Sequence, residues 1–294
     1  MTSVECVLDA KAALGECPMW HDGEQKLYWV DAERGELHRF DPATGTDEHR
    51  KLADHIGSFA FRESGGLIAA LDNSFGAVDF ETGTITTIAE VEADNPGTTF
   101  NDGRAAPGGR FFAGTMGVPI TPGKTPGAFY RLDPDGAVTQ ICDGMGTSNG
   151  LAFSPDGRTL YHSDSLPTVQ TIWAWDHDPA TGAVDNRRVF ATTHDLPGRP
   201  DGATIDAEGF YWSANVDGWQ IVRFAPDGSV DRTVAMPVQK PSMPCFGGPD
   251  LDTLYVTSIS DGGSAPMEPN QPLAGGLFAC QPGVKGLPID KFAG

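Results

Sequence analysis

The sequence predicts an all-β chain, a six-bladed β-propeller with four-stranded antiparallel blades. An apolar strand recurs six times, as Leu27-Tyr-Trp-Val-Asp, Leu67-Ile-Ala-Ala-Leu, Phe111-Phe-Ala-Gly-Thr, Leu160-Tyr-His-Ser-Asp, Phe210-Tyr-Trp-Ser-Ala and Leu254-Tyr-Val-Thr-Ser; successive starts differ by 40, 44, 49, 50 and 44 residues. A further strand follows each of these anchors: Leu37-His-Arg-Phe-Asp, Ala77-Val-Asp-Phe-Glu, Phe129-Tyr-Arg-Leu-Asp, Ile172-Trp-Ala-Trp-Asp, Ile221-Val-Arg-Phe and Gly276-Leu-Phe-Ala-Cys. Several of these run into Asp-Pro-Ala-Thr-Gly, Asp-Pro-Asp-Gly or Ala-Pro-Asp-Gly, turn sequences that lead to a fourth strand. A period of roughly 40–50 residues with about four short strands per unit describes a propeller blade.

Taken in order, residues 4–9, Val-Glu-Cys-Val-Leu-Asp, alternate weakly before the first unit. A ring must close, so this segment is placed as the outer strand of blade six, and residues 1–294 are read as a single domain. Blade one opens at Leu14-Gly-Glu-Cys-Pro-Met-Trp, a carboxylate among apolar residues, and blade three at Phe100-Asn-Asp-Gly. Blade four is the plainest unit: Ser148-Asn-Gly-Leu-Ala-Phe, a Ser-Pro-Asp-Gly hairpin turn, and the returning strand at Leu160. Asp-Gly suits that turn because it tolerates positive φ. Blade five opens at Arg199-Pro-Asp-Gly and blade six at Cys245-Phe-Gly-Gly-Pro-Asp, whose glycines mark a turn and not a phosphate loop.

Composition limits the function. The 40 acidic residues outnumber the 20 basic ones, for a formal charge of -20, which argues against nucleic-acid and anionic-membrane partners, since both need basic patches. The five cysteines are scattered, with no C-x-x-C pair, so neither a disulfide framework nor a thiolate metal site is expected. The N-terminus has no basic start followed by an apolar core, and no run of about 18 apolar residues occurs, so a cytoplasmic location is expected.

Measured back from the anchors, the residues opening the innermost strands are Glu16, Ser58, Asn101, Asn149, Asp201 and Cys245. Innermost strands line a propeller's channel, so equivalent positions on different blades converge at one end of its axis. Four of the six carry carboxylate or amide oxygens, a donor set suited to hard divalent cations such as Ca²⁺, Mg²⁺ or Mn²⁺, with water completing the shell. One Asn-Gly or Asp-Gly is an ordinary turn. Asn101-Asp-Gly, Asn149-Gly and Asp201-Gly at one phase of the repeat, together with Glu16, favour a site. Asp102 either meets a water or substrate hydroxyl or caps a turn. His162 is expected to be packed and hydrogen-bonded, Asp206, on the same inner strand as Asp201 but past the rim, to have little effect on ion affinity or turnover, and no serine-hydrolase G-x-S-x-G context exists.

On these motifs the chain resembles the regucalcin/gluconolactonase (senescence marker protein) family. The resemblance spans essentially the whole length. It implies one divalent ion (Ca²⁺, Mg²⁺, Mn²⁺ or Zn²⁺) held by Glu16, Asn149 and Asp201, with Asn101 and Asp102 facing substrate and water. It also implies hydrolysis of a small sugar-derived lactone to the aldonic acid. Family members commonly carry Arg two residues before the Asn-Asp pair, where this chain has Thr99; Arg199, at the same offset before Asp201, is the candidate replacement for substrate binding. Cys17 stands where the family often has a small residue. Asp201 is the candidate base, with Asp102 or a metal-bound hydroxide as alternatives. The rivals are phosphotriester hydrolysis at the same site and a non-catalytic calcium-binding propeller.

Overall fold

The structure, a computed structural model, describes residues 3–261 and 266–294; residues 1, 2 and 262–265 of the expected single-domain range lie outside the described residues. The strands form six four-stranded antiparallel sheets, and no helix occurs among the described residues. Five sheets use four strands consecutive in sequence, running from channel to rim. The sixth combines Pro241–Gly247, Thr253–Ser258 and Leu277–Cys280 with the N-terminal strand Val4–Leu8 at its outer edge. Among the described residues, no helix is long and apolar enough to cross a membrane.

Alternation explains the layering. Outer strands such as Thr46–Lys51 expose every other residue or more, whereas every residue of the inner strands Ile56–Phe61 and Ser148–Phe153 is buried. The inner strands are enclosed because blades pack face to face. Met19, Tyr28 and Val30 of blade one, for instance, meet Phe59, Phe61 and Leu67 of blade two. Each such large apolar side chain contributes roughly 1.5–3 kcal/mol by leaving water. Between blades six and one the Trp20 and Tyr255 rings stack at 5.9 Å, and Ser242 donates to the Gly15 carbonyl, so the ring closes by side chains as well as by the N-terminal strand.

The underside is crossed by the C-terminal segment. Ala207 N donates to Lys285 O, Gly286 N to Leu251 O and Phe292 N to Phe61 O; Ala293 N donates to Gly109 O and Arg62 Nε to Gly294 O. Phe292 is buried beneath blades two and three. The tail therefore ties blades two, three, five and six together across the end of the channel.

The inner strands share an irregularity. Each carries a bulge near its entry, and when aligned through its hairpin the equivalent residues are Glu16, Gly57, Asn101, Asn149, Asp201 and Ser242. Each lies four residues before the partner of Leu27, Leu67, Phe111, Leu160, Tyr211 or Leu254 in the returning strand. This corrects the expectation for Ser58 and Cys245. Counting back from the anchors put Ser58 one residue too late and Cys245 three, the latter because the stretch linking Phe246 to Leu254 is longer than that linking Phe61 to Leu67. Gly57 has its own reason: a Cβ there would stand 2.5 Å from the Asn101 carbonyl oxygen, so blade two has room only for backbone.

Asp206, expected to matter little for ion affinity or turnover, has a structural role. It is fully buried, accepting from Arg223 Nε (2.8 Å) and Nη2 (2.6 Å), Trp212 Nε1 (2.8 Å) and the Glu208 and Phe210 amides (both 3.0 Å). The side chain closes the turn at the hairpin end of blade five and is the anion of a buried ion pair.

Candidate active site

The inner-strand entries are positioned by aspartates at the ends of the neighbouring strands. Asp31 accepts from the amides of Ala13 (2.8 Å) and Leu14 (3.2 Å), just before Glu16. Asp164 does the same for Gly146 (2.7 Å) and Thr147 (2.9 Å), just before Asn149. Both aspartates end their anchor motifs, Leu27-Tyr-Trp-Val-Asp and Leu160-Tyr-His-Ser-Asp. The repeat thus encodes both the strand and the clamp that aims its neighbour's functional side chain. Asn215 performs a related task in blade five, donating to Pro197 O (3.1 Å) ahead of Asp201.

Glu16, Asn101, Asn149, Arg199 and Asp201 line one cavity of about 90 Å³ at the channel mouth, with Glu33, Thr147 and Ser165 as further polar walls and Leu14, Met116, Ile120, Val216 and Ile259 as apolar ones. Larger depressions of about 330 and 480 Å³ lie at the hairpin end, beside Arg104 and Asp156 and beside Trp20 and Leu251. Turn and tail residues dominate those walls. The smaller cavity is the one where polar groups from four blades converge.

The mouth concentrates buried anionic groups. Burial pushes Asp201 up to about 8, partly opposed by the Arg199 guanidinium. Glu16 is raised well above the ordinary carboxylate range, first by burial, then by Asp201 and Asp102. Asp102 is pushed up to about 6 by burial, against the backbone amides and Arg104 that favour its charge. Carboxylates crowded out of water in this way favour either a proton or a cation.

Individual contacts define the roles available. Asn101 uses both hydrogens of its amide nitrogen on blade four, donating to Ser148 O (2.8 Å) and Asn149 Oδ1 (3.1 Å), so only its oxygen remains for a ligand. Asn149 Nδ2 donates to Ser165 Oγ (2.7 Å), and Ser165 donates in turn to Pro200 O, which fixes the Asn149 amide beside Asp201. Arg199 is held by Ser165 O (2.8 Å) and Asp217 Oδ2 (2.7 Å) at the cavity wall. Thr99 Oγ1 donates to Asp72 O (3.1 Å) and does not line the cavity.

Asp102 is held differently from Asn101. Asn101 and Asp102 are the two unpaired residues of the blade-three bulge; Asn101 lines the mouth cavity, whereas Asp102 does not and accepts from Leu151 N (2.9 Å). Its Oδ1 is buried and has no hydrogen-bond partner. His162 is packed: its ring stacks on Phe129 at 4.1 Å, its Nε2 meets Ser148 Oγ at 2.7 Å, and burial lowers its pKa to about 3, so it stays neutral.

The donor set fits a divalent cation. Glu16, Asn149 and Asp201 offer oxygens around one cavity, the buried carboxylates lack enough nearby positive charge, and hard ions prefer such ligands. Sequence reasoning missed Ser165, which orients Asn149, and Asp217, which holds Arg199. No periodic signal marks either residue, because both lie in the connections beyond the anchor strands.

The family profile described as SMP-30/Gluconolactonase/LRE-like region matches residues 14–260. The chain is 39% identical to regucalcin of Xenopus laevis over 99% of this chain and 98% of that one. It is also 39% identical to the 6-deoxy-6-sulfogluconolactonase of Pseudomonas putida, over 99% of each. Among solved structures, a calcium-binding protein, regucalcin, from Agrobacterium tumefaciens superposes with a TM-score of 0.92 at 28% identity, covering 99% of this chain and 97% of the other.

Proposed function

The chain belongs to the SMP-30/gluconolactonase/LRE-like family, and from that premise we propose that it hydrolyses a sugar-derived lactone to the aldonic acid with one divalent cation at the channel mouth. The observation that carries this reading is the convergence of Glu16, Asn149 and Asp201 with Asn101 and Arg199 on one cavity. Both the lactonase among the relatives and the calcium-binding structural neighbour are consistent with it.

In this reading Glu16, Asn149 and Asp201 hold the ion, which when bound supplies Lewis-acid polarisation of the lactone carbonyl. Asp201, once ionised, accepts a proton from the water that attacks the carbonyl carbon and returns it to the ring oxygen as the ester bond breaks. Its raised pKa makes it a stronger base than an ordinary aspartate, while ligation and Arg199 pull it back. Asn101, with only an oxygen free, accepts from a substrate hydroxyl; Arg199 donates to another. Asp102 supports the site by holding the blade-four bulge.

The decisive experiment strips the protein with a chelator and measures proton release from a panel of aldonolactones after adding Mg²⁺, Mn²⁺, Ca²⁺ or Zn²⁺ separately, with a phosphotriester assayed in parallel. Lactone turnover restored by at least one ion is expected. Turnover of the phosphotriester alone, or hydrolysis of nothing with any ion, would replace this reading with one of its rivals. A second expected result concerns Arg199→Ala, which removes a substrate donor while leaving Asp217 its 3.6 Å contact with Lys240. KM should rise about tenfold or more, with folding intact, as expected for loss of a hydrogen bond to a charged group. An unchanged KM would exclude Arg199 from substrate binding.

A further inference from the structure

Blade one carries a second cluster of ligating side chains, away from the channel. Its third and fourth strands, Glu36–Asp41 and Thr46–Lys51, pair so that His38 stands directly opposite His49. Asp47 lies two residues before His49 and therefore projects from the same face. Among the described residues, these three form the one group of His, Cys, Asp or Glu whose ligating atoms all lie within 4.8 Å of one another.

The inner part of the cluster is already rigid. His38 is buried, its ring stacked on Trp29 at 3.9 Å and on His49 at 5.1 Å. Its Nδ1 lies 2.7 Å from Asp47 Oδ2, while Asp47 Oδ1 accepts from Trp29 Nε1 at 3.2 Å. His38 Nε2 is buried with no hydrogen-bond partner, and Glu36 Oε2 stands 3.7 Å from it. An ion shared by His38 and Asp47 would take the Nδ1 edge of the ring, in place of their present 2.7 Å contact, and leave Nε2 facing Glu36. His49 is exposed on the outermost strand, so its ring can rotate to share an ion with the two fixed groups.

Two imidazoles and a carboxylate form a different donor set from the all-oxygen one at the channel mouth. Nitrogen ligands select borderline transition-metal ions over Ca²⁺ or Mg²⁺, and a tetrahedral ion would keep one position for water on the exposed side. We propose that the His38–Asp47–His49 face of blade one is a second cation site, for a transition-metal ion such as Zn²⁺. Bound there, the ion cross-links the two outer strands of blade one, the least buried part of that sheet.

Cu²⁺ makes a spectroscopic probe, because imidazole nitrogens split its paramagnetic resonance and oxygen ligands do not. The full chain is titrated with Cu²⁺ in excess Ca²⁺, which occupies the oxygen-rich mouth, and the affinity for Zn²⁺ is measured by calorimetry under the same conditions. One tight equivalent with nitrogen splitting is expected. His49→Ala, at an exposed position whose loss spares the core, should remove part of that splitting and weaken Zn²⁺ binding roughly tenfold or more. Glu16→Gln should leave both readings unchanged. Identical spectra and affinities for the parent and His49→Ala, or the absence of a tight nitrogen-ligated equivalent, would overturn the assignment.

Discussion

Asp201→Asn is expected to lower turnover by about 10²- to 10⁴-fold, the span associated with loss of a general base. The amide keeps the size of the side chain and one ligand oxygen, but it has neither the charge nor the basicity. Stability should move the other way. Asp201 sits among Glu16 and Asp102, and its charge is among the causes that raise Glu16. With its pKa raised to about 8, the buried carboxyl destabilises the ion-free fold at neutral pH, where it must either stay charged or take up a proton; the amide removes that cost, so the ion-free variant should melt no lower than the parent. Weakened ion binding should accompany the lost turnover, since one anionic ligand becomes neutral. Paired measurement of kcat, ion affinity and melting temperature tests all three links. Near-normal turnover in Asp201→Asn would move the base elsewhere.

Asp206→Asn, five residues along the same stretch, should do the reverse: a loss of stability on the order of 3 kcal/mol, the scale for breaking a buried ion pair by removing one partner. Every group that Asp206 accepts from is an N–H donor, so an amide nitrogen placed there faces donors with a donor. Arg223, almost wholly buried, would keep only Glu208 Oε2 (2.6 Å) and Asp231 Oδ2 (3.0 Å). The site lies at the hairpin end, away from the channel mouth, so turnover per folded molecule should persist. A melting temperature equal to the parent's would show that Arg223 is adequately paired without Asp206.

The contrast between these two aspartates marks what the sequence could reveal. Hydrophobic alternation and turn residues exposed the six units because every blade solves the same packing problem, and repetition turned single weak signals into a phase. That phase led to Glu16, Asn101, Asn149 and Asp201, which line one cavity together with Arg199, a candidate that came from the family resemblance. It misplaced Ser58 by one residue and Cys245 by three, the second because of the long blade-six hairpin, and it says nothing of the direction of Asp102, which the local bulge sets. Nothing in the sequence pointed to the structural role of Asp206, because its partner Arg223 lies two strands away. The His38–His49 pair needed the cross-strand register, and the C-terminal strap has no alternation to read, since it bonds to the blades one residue at a time.

The pairing of Val4–Leu8 with Leu277–Cys280 places the two halves of one sheet edge at nearly opposite ends of the chain. During synthesis the first half emerges long before the second exists. Through most of elongation the growing arc therefore ends in strands with unpaired backbone, the condition under which chains pair with the wrong partner. Contacts so distant in sequence also form slowly, because a long loop must close before they gain anything. The final stretch of the chain then completes the sheet edge and stitches the underside almost together. The joint between the last and first blades is accordingly where a nascent chain is most exposed to neighbouring copies of itself and to chaperones.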